Sequence, residues 1–150
     1  MTIQLLKTDA TNKDFQKLVE LLDRELATID GDDHTFYHQF NGIDQLKYVI
    51  IAYQDQKPVS CGAFKVLDKQ TVEIKRMYTL KNYRGSGLAS KVLAALEDWA
   101  NNLSFTRCRL ETGVRQPDAI RLYTKNNYQP IENYGQYLGI ENSKCFEKIL

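Results

Sequence analysis

The chain has 150 residues, of which 43% are hydrophobic and 26% charged, so it can bury the core of one soluble globular domain. The formal net charge is +1 and the basic residues are spread along the chain, which disfavours partners such as nucleic acid or an anionic membrane. The three cysteines are odd in number and far apart, which argues against a disulfide framework or a metal site. We therefore expect a cytoplasmic protein with a single domain over residues 1–150.

The first quarter of the chain predicts a strand followed by a helix. Thr2–Leu6 has the composition of a first strand, and Asp14–Leu26 carries apolar side chains at helical spacing. Either Thr11 or Asn12 is available to cap this helix. A short second helix is predicted around Thr35–Phe40.

Three strands are predicted next, and short polar turns separate them. The strands are Tyr48–Tyr53, Pro58–Leu67 and Thr71–Leu80, with turns at residues 55–57 and 68–70. This succession of short connections is typical of antiparallel pairing.

The C-terminal half alternates helix and strand. A helix is predicted over Gly87–Ala100, a strand over Arg107–Thr112, a helix over Pro117–Lys125 and a closing strand over Lys144–Leu150. Gln116 stands where it could cap the second of these helices. The order β-α-(α)-β-β-β-α-β-α-β predicts an α/β (α+β) fold in which a mixed sheet has helices on both faces.

A glycine-rich turn joins the strand Thr71–Leu80 to the helix Gly87–Ala100. The first amides of a helix have no partner within it, and together with the helix dipole they favour a bound anion. Glycines at such a turn allow a bulky polyanion to approach. The turn therefore predicts a phosphate site, and its residues read Arg84-Gly85-Ser86-Gly87-Leu88-Ala89.

Three known glycine turns could account for this segment. A Walker A loop requires Gly-Lys-Ser/Thr, which the chain lacks. A dinucleotide fingerprint would meet Ser90 where its third glycine or alanine belongs, and it lacks the acidic residue about 20 positions later. The pattern Arg/Gln-x-x-Gly-x-Gly/Ala is matched by Arg84, Gly87 and Ala89.

By this third pattern the chain resembles the GCN5-related N-acetyltransferase (GNAT) superfamily, in which the turn grips the pyrophosphate of acetyl-CoA. The resemblance continues in Pro117–Tyr123 and Asn126–Tyr128, which are similar to the second helix of that family and its Leu-Tyr pair. It covers about Glu73 to Tyr128. It implies a single-domain, mixed, mostly antiparallel sheet flanked by helices on both faces.

The resemblance also implies the residues that bind acetyl-CoA. Backbone groups of the motif strand would pair with the pantetheine arm and hold the carbonyl oxygen, and Gln116 stands where the family often has asparagine. The implied cofactor-binding residues are Met77, Tyr78, Thr79, Arg84, Gly85, Ser86, Gly87, Leu88, Ala89 and Gln116.

Tyr123 is the implied hydrogen-bond donor to the departing sulfur. Its phenol has an ordinary pKa near 10, so a hydrogen bond describes its role better than full proton transfer. The alternative is a tyrosine that only packs at the edge of the core.

Glu73 is the preferred general base, because it matches the position of the catalytic glutamate in the histone-modifying branch of the family. Base action there would run through a chain of water molecules. A glutamate paired with Lys75 or Arg76 on the same strand would look the same in the sequence. Glu111 on the neighbouring strand competes for the role.

The resemblance places the acceptor site beside the stretch 30–38, which is acidic and aromatic and suits a cationic amine. Tyr134 and Tyr137 are candidates for its opposite wall. A solvated acidic loop and a surface loop are the alternatives. The two histidines have no clustered third ligand, so no metal is expected.

The implied function is transfer of an acetyl group from acetyl-CoA to a primary amine of a small-molecule acceptor, by direct attack in a ternary complex. Three alternatives stay open: an acyl-CoA sensor without turnover, acetylation of a protein or peptide amine, and a nucleotide-dependent enzyme. No nucleic acid or membrane partner is expected. The sequence does not determine the acceptor, the acyl-chain preference or whether the protein forms a homodimer.

Overall fold

The computed structural model describes residues 2–30 and 46–150, which form a seven-stranded sheet with helices on both faces. The predicted helix around Thr35–Phe40 and most of the acidic, aromatic stretch lie outside these residues. Within the described ranges no helix has the length and apolar composition needed to cross a bilayer.

Strands and helices follow the predicted order, with one additional strand. The strands are β1 (Ile3–Thr8), β2 (Tyr48–Gln54), β3 (Lys57–Val66), β4 (Thr71–Thr79), β5 (Arg107–Gly113), β6 (Gln129–Ile131) and β7 (Ser143–Ile149). The helices are α1 (Lys13–Asp30), α2 (Leu88–Asn102) and α3 (Pro117–Lys125). Single 3₁₀ turns lie at Lys81–Tyr83 and Gly135–Tyr137.

The sheet order is β1-β2-β3-β4-β5-β7-β6, and only β4 and β5 are parallel. The mixed, mostly antiparallel sheet is confirmed. The sequence did not predict β6, which has three residues, contains Pro130 and lies at the edge of the sheet. A strand this short has no alternation to detect, and proline is tolerated there because an edge strand has a side without a ladder.

Each face of the sheet has its own apolar core. Ile50 and Ala52 of β2 pack with α2 and α3, whereas Val49 and Ile51 pack with α1. Burial on both faces explains why β2 is a continuous apolar run rather than an alternating one.

The capping residue predicted for the start of α1 is confirmed, and the one predicted for the start of α3 is not. Asn12 caps α1, because its Oδ1 accepts hydrogen bonds from the amides of Asp14 (2.8 Å) and Phe15 (3.1 Å). Asn127 ends α3 in the left-handed region, with φ of 73°. Gln116 occupies the cap position of α3, but its side chain makes no capping hydrogen bond.

A β-bulge interrupts β4 halfway along. Lys75 pairs with Ala63 and Tyr78 with Cys61, so two residues of β4, Arg76 and Met77, face Gly62 alone. Arg76 takes the left-handed conformation, with φ of 59°. Its guanidinium is buried in an ion pair with Asp23 of α1, which holds this costly conformation in place.

The parallel ladder between β4 and β5 ends just before the bulge. It pairs Thr71–Glu73 with Arg107–Arg109 and no further residues of the two strands. A bulge bends the strand that carries it. Beyond Glu73 the edge of β4 therefore faces an opening instead of a neighbouring strand.

We expect Gly62→Ala to lower the free energy of unfolding by about 1–3 kcal/mol, which is the usual cost of overpacking a core. A Cβ on Gly62 would lie 2.3 Å from Met77 Sδ and 2.9 Å from Leu96 Cδ1. Urea unfolding of the variant measures the change. A loss below about 0.5 kcal/mol would mean that the Met77 side chain moves aside without cost.

Candidate active site between β4 and α3

The glycine turn presents a row of backbone amides that have no partner in the described part of the chain. Gly85 and Gly87 have φ of 85° and 86°, which bring residues 85–90 round into the first turn of α2. Among the described residues, the amides of 85–90 donate to no acceptor, and the first bonded amide is that of Lys91, to the carbonyl of Gly87 at 3.1 Å. This arrangement is typical of an anion site at a helix N-terminus.

Positive φ is the reason that glycine stands at these two positions. A Cβ on Gly85 or Gly87 would meet no atom within 4 Å, so the space above the turn is open. An L-residue would nevertheless disfavour this backbone conformation.

Arg84 anchors the turn to the end of β4. Its Nε donates to the carbonyl of Thr79 at 2.8 Å, and a terminal nitrogen pairs with Glu25 Oε2 of α1 at 3.0 Å. The guanidinium also lies over the ring of Tyr78, 5.5 Å from its centroid. Arg84 therefore has a structural role beside the predicted one towards phosphate.

A groove of about 710 Å³ runs from the turn to Tyr123, between α1, the end of β4 and α3. All the predicted cofactor-binding residues except Ser86 line it. The Ser86 side chain bends back into the turn and donates to the carbonyl of Tyr83 at 3.0 Å. The amide of Ser86 still belongs to the row of unpartnered donors.

A smaller cavity of about 110 Å³ continues from the groove into the opening between β4 and β5. The two spaces share the side chain of Tyr123, which therefore stands where they meet. Glu73, Glu111 and Tyr137 line the smaller cavity. The structure thus brings the implied hydrogen-bond donor and both candidate bases to neighbouring walls.

Tyr123 is 7% exposed, and its ring packs edge-on against Tyr128 with 5.7 Å between centroids. No other described residue hydrogen-bonds to its hydroxyl. Burial, and to a lesser degree the charge of Glu111, raises the pKa of the Tyr123 phenol above its usual value. The hydroxyl consequently keeps its proton at neutral pH and can donate a hydrogen bond.

Glu73 is buried, 2% exposed, and several donors surround its carboxylate. Oε1 lies 3.4 Å from Nζ of Lys75 and 3.8 Å from Nζ of Lys65, and Oε2 accepts a hydrogen bond from Tyr134 Oη at 2.6 Å. Of the two ion-pair partners that the alternative interpretation offered, Lys75 contacts Glu73 and Arg76 does not, because Arg76 pairs with Asp23. Burial lowers the pKa of the Lys75 ammonium, although Glu73 opposes that effect.

Glu111 lies across the cavity, where its Oε2 accepts a hydrogen bond from Ser143 Oγ at 2.6 Å. Tyr137, 3% exposed, lines the same cavity and packs edge-on against Tyr134, with centroids 5.9 Å apart. After burial itself, the charges of Glu73 and Glu111 raise the pKa of the Tyr137 phenol. The predicted tyrosine wall therefore adjoins both candidate bases.

The groove also contains residues for which the sequence predicted no role in the site. Leu22 and Leu26 of the apolar face of α1 form one side of it. Arg115, Arg121 and Lys125 also line it near α3, where Asp118 pairs with Arg121 and offsets its charge. Arg121 and Lys125 are one helical turn apart, but only the fold places them opposite the glycine turn.

Known proteins are similar to this chain in sequence and in fold. An IAA acetyltransferase of Azospirillum brasilense is 28% identical over 124 residues, which are 81% of this chain and 80% of that protein. A Klebsiella pneumoniae protein assigned as an acyl-CoA N-acyltransferase has a solved structure that superposes with a TM-score of 0.83, at 29% identity and with 99% and 98% of the two chains covered.

A more distant neighbour, the PaiA N-acetyltransferase of Thermoplasma acidophilum, was solved in complex with coenzyme A. It has a TM-score of 0.75 at 15% identity, with full coverage of both chains, and so shares the fold. The sequence profile of the acetyltransferase (GNAT) family matches residues 15–128, from the start of α1 to the tyrosine that follows α3. This match spans the glycine turn, the groove and Tyr123, and the chain belongs to the acetyltransferase (GNAT) family.

Proposed function

We propose that this protein transfers an acetyl group from acetyl-CoA to a primary amine of a small molecule, by direct attack within a ternary complex. One observation carries the proposal: a groove leads from the unpartnered amides of residues 85–90 to the buried hydroxyl of Tyr123. Family membership and the coenzyme A complex of a protein with the same fold support acetyl-CoA as the donor.

The described residues offer groups suited to the pyrophosphate, the pantetheine arm and the thioester of acetyl-CoA. The amides of 85–90 would hold the pyrophosphate, and Lys125 adds positive charge along the same groove, whereas the charge of Arg121 is offset by its ion pair with Asp118. The edge of β4 beyond Glu73, which has no strand partner among the described residues, suits the amides of the pantetheine arm. The thioester would then lie near Met77, Gln116 and Tyr123.

The reaction requires the acceptor to lose two protons. An ammonium and acetyl-CoA become an acetamide and free CoA thiol, with one proton ending on the sulfur and one on a base. The amine attacks the thioester carbonyl, the C–S bond breaks, and Tyr123 hydrogen-bonds to the departing sulfur. A backbone amide of β4 near Met77 or Tyr78 would stabilise the charge on the carbonyl oxygen.

Two carboxylates compete as the proton acceptor. Glu73 is almost fully buried among two lysines and Tyr134, whereas Glu111 is partly exposed in the small cavity and its charge acts on Tyr123. A general base must be accessible to the amine or to a water molecule. The greater exposure of Glu111 therefore favours it as the base, although Glu73 was the preferred candidate in the sequence.

We expect Glu111→Gln to lower kcat/KM roughly a hundredfold at neutral pH, the usual contribution of a general base. Glu73→Gln is the matched comparison, because it removes the same charge from the opposite wall. The measurement is the initial rate of CoA release at subsaturating amine. If Glu73→Gln shows the larger loss, Glu73 is the base instead.

The proposed function is tested by CoA release from acetyl-CoA in the presence of small amines and of lysine-containing peptides. A small amine that releases CoA and is recovered as its acetamide supports the proposal, and turnover of peptides alone contradicts the acceptor class. A sensor would bind CoA and release none with any amine. Stabilisation against heat by NAD or ATP, but not by CoA, would contradict acetyl-CoA as the ligand.

A further inference from the structure

A buried hydrogen-bond chain joins the end of α3 to the middle of α2. The hydroxyl of Tyr128, a residue that is 1% exposed, donates to Glu97 Oε2 at 2.8 Å. The other carboxylate oxygen of Glu97 accepts from Nζ of Lys148 on β7, also at 2.8 Å. Glu97 is 9% exposed, so both contacts lie in or at the core, where a charged acceptor strengthens a hydrogen bond.

Tyr128 is fixed to Tyr123 in two further ways. The amide of Tyr128 donates to the carbonyl of Tyr123 at 3.0 Å, and the amide of Asn127 donates to the carbonyl of Thr124 at 3.2 Å. These two bonds, with the left-handed Asn127, close the end of α3 as a Schellman motif. Edge-on packing of the Tyr128 ring against Tyr123 completes the connection.

A second contact joins the same two helices nearer to the glycine turn. The side-chain amide of Asn126 donates to Ser90 Oγ at 3.2 Å and to the carbonyl of Leu122 at 2.8 Å. Ser90 lies in the first turn of α2, and its own amide belongs to the row of unpartnered donors. The end of α3 is therefore bound to α2 at its first turn and again, through Glu97, at its middle.

The two helices hold opposite ends of the reaction site. The N-terminus of α2 carries the proposed pyrophosphate contacts, and α3 carries the Tyr123 hydroxyl. The pantetheine arm has a limited reach, so the distance from the sulfur to the Tyr123 hydroxyl depends on the separation of the two helices. A displacement of about 1 Å between reacting groups can cost a hundredfold in rate.

We propose that Tyr128 and Glu97 are positioning residues, which hold the Tyr123 hydroxyl in place relative to the amides that bind the pyrophosphate. This inference rests on the proposed function of Tyr123. Removal of the Tyr128 hydroxyl keeps the ring and breaks its hydrogen bonds to Glu97 of α2 and to the Cys108 thiol of β5. Cofactor affinity depends mainly on the turn and is expected to change little.

We expect Tyr128→Phe to lower kcat about tenfold while the Kd for CoA stays within about twofold, because a misplaced donor weakens only the chemical step. The matched control is Tyr53→Phe. Tyr53 likewise donates from its hydroxyl to a carboxylate, Asp14 Oδ2 at 2.7 Å, but it joins β2 to α1 and is not in either cavity lining. Tyr53→Phe should lower the free energy of unfolding about as much as Tyr128→Phe does, but it should leave kcat unchanged.

A double-mutant cycle shows whether Tyr128 acts through Tyr123. In a Tyr123→Phe background, Tyr128→Phe should have no further effect on kcat, because the group that it positions is already gone. An equal additional loss would show that the Tyr128 hydroxyl serves the fold in general, and would overturn the inference. A wild-type kcat in Tyr128→Phe, or an equal loss in Tyr53→Phe, would overturn it as well.

A measurement without turnover keeps this inference separate from the proposed function. The nine tyrosines can be labelled with ¹³C at Cζ, and the Tyr123 signal is identified by its absence from the Tyr123→Phe spectrum. Saturation with CoA should shift this signal in the wild type and in Tyr53→Phe, and by less than half as much in Tyr128→Phe. A shift without CoA release from any amine would contradict the proposed function alone. Equal shifts in all three proteins, or none in the wild type, would overturn the inference.

Discussion

Gly87→Val is expected to raise the Kd for CoA at least a hundredfold while the protein still folds. Gly87 has φ of 86°, and a β-branched residue strongly disfavours that conformation. The backbone would rotate to relieve the strain, and the amides of residues 85–90 would no longer point to one place. Isothermal titration with CoA measures the affinity, and circular dichroism shows whether the helices are retained.

Gly139→Val is the matched control for this experiment. Gly139 also has positive φ, 76°, and open space around its Cα, but it lies in the loop before β7 and outside the groove. The strain in the two variants should lower the melting temperature by similar amounts, whereas only Gly87→Val should lose CoA. Unchanged affinity in Gly87→Val would remove the turn from the proposed cofactor site.

Tyr123→Phe is expected to lower kcat roughly a hundredfold, within the range for loss of one proton-donating group, and to change the Kd for CoA much less. The hydroxyl has no other described partner, so its removal leaves no buried acceptor unsatisfied. The ring keeps its contact with Tyr128, and stability should change little. Initial rates at saturating acetyl-CoA and amine give kcat directly.

The leaving group provides a second measurement on the same variant. If Tyr123 assists departure of the sulfur, acetyl thioesters of more acidic thiols should depend less on its hydroxyl. The ratio of wild-type to variant rates should therefore fall as the pKa of the thiol falls. A constant ratio would mean that Tyr123 acts elsewhere in the reaction, and a wild-type rate with acetyl-CoA would reduce it to a packing residue.

Local patterns predicted the regular elements well. The turn between strands β2 and β3 is formed by Asp55 and Gln56. Both residues have positive φ, as a two-residue hairpin turn requires. In α2, Leu88, Val92 and Leu96 are buried on the stripe that helical spacing predicts. These features depend on neighbours in the chain, and so they can be read without knowing the fold.

Features that arise from contacts between distant segments were not predicted. Glu97 lies in a correctly predicted helix, but its position on the buried side is explained only by Tyr128 and Lys148, 31 and 51 residues away. The sequence likewise presented Glu73 as a general base or, alternatively, as an ion-paired residue, without its contact to Tyr134, 61 residues distant. None of these three partner residues can be inferred from the sequence around Glu97 or Glu73, because each lies on a distant segment of the chain.

The sequence by itself determined the order of the described elements except β6, and it predicted an anion site at the start of α2, since helix termini, positive φ and apolar spacing are properties of a few consecutive residues. Only the tertiary structure decided which residues lie at the other end of the groove that begins at this site. The bulge at Arg76 ends the β4–β5 ladder and opens the sheet, and α3 places Tyr123 at the opening. Burial and charge then distinguish Glu73 from Glu111, because both depend on which segments fold around each carboxylate.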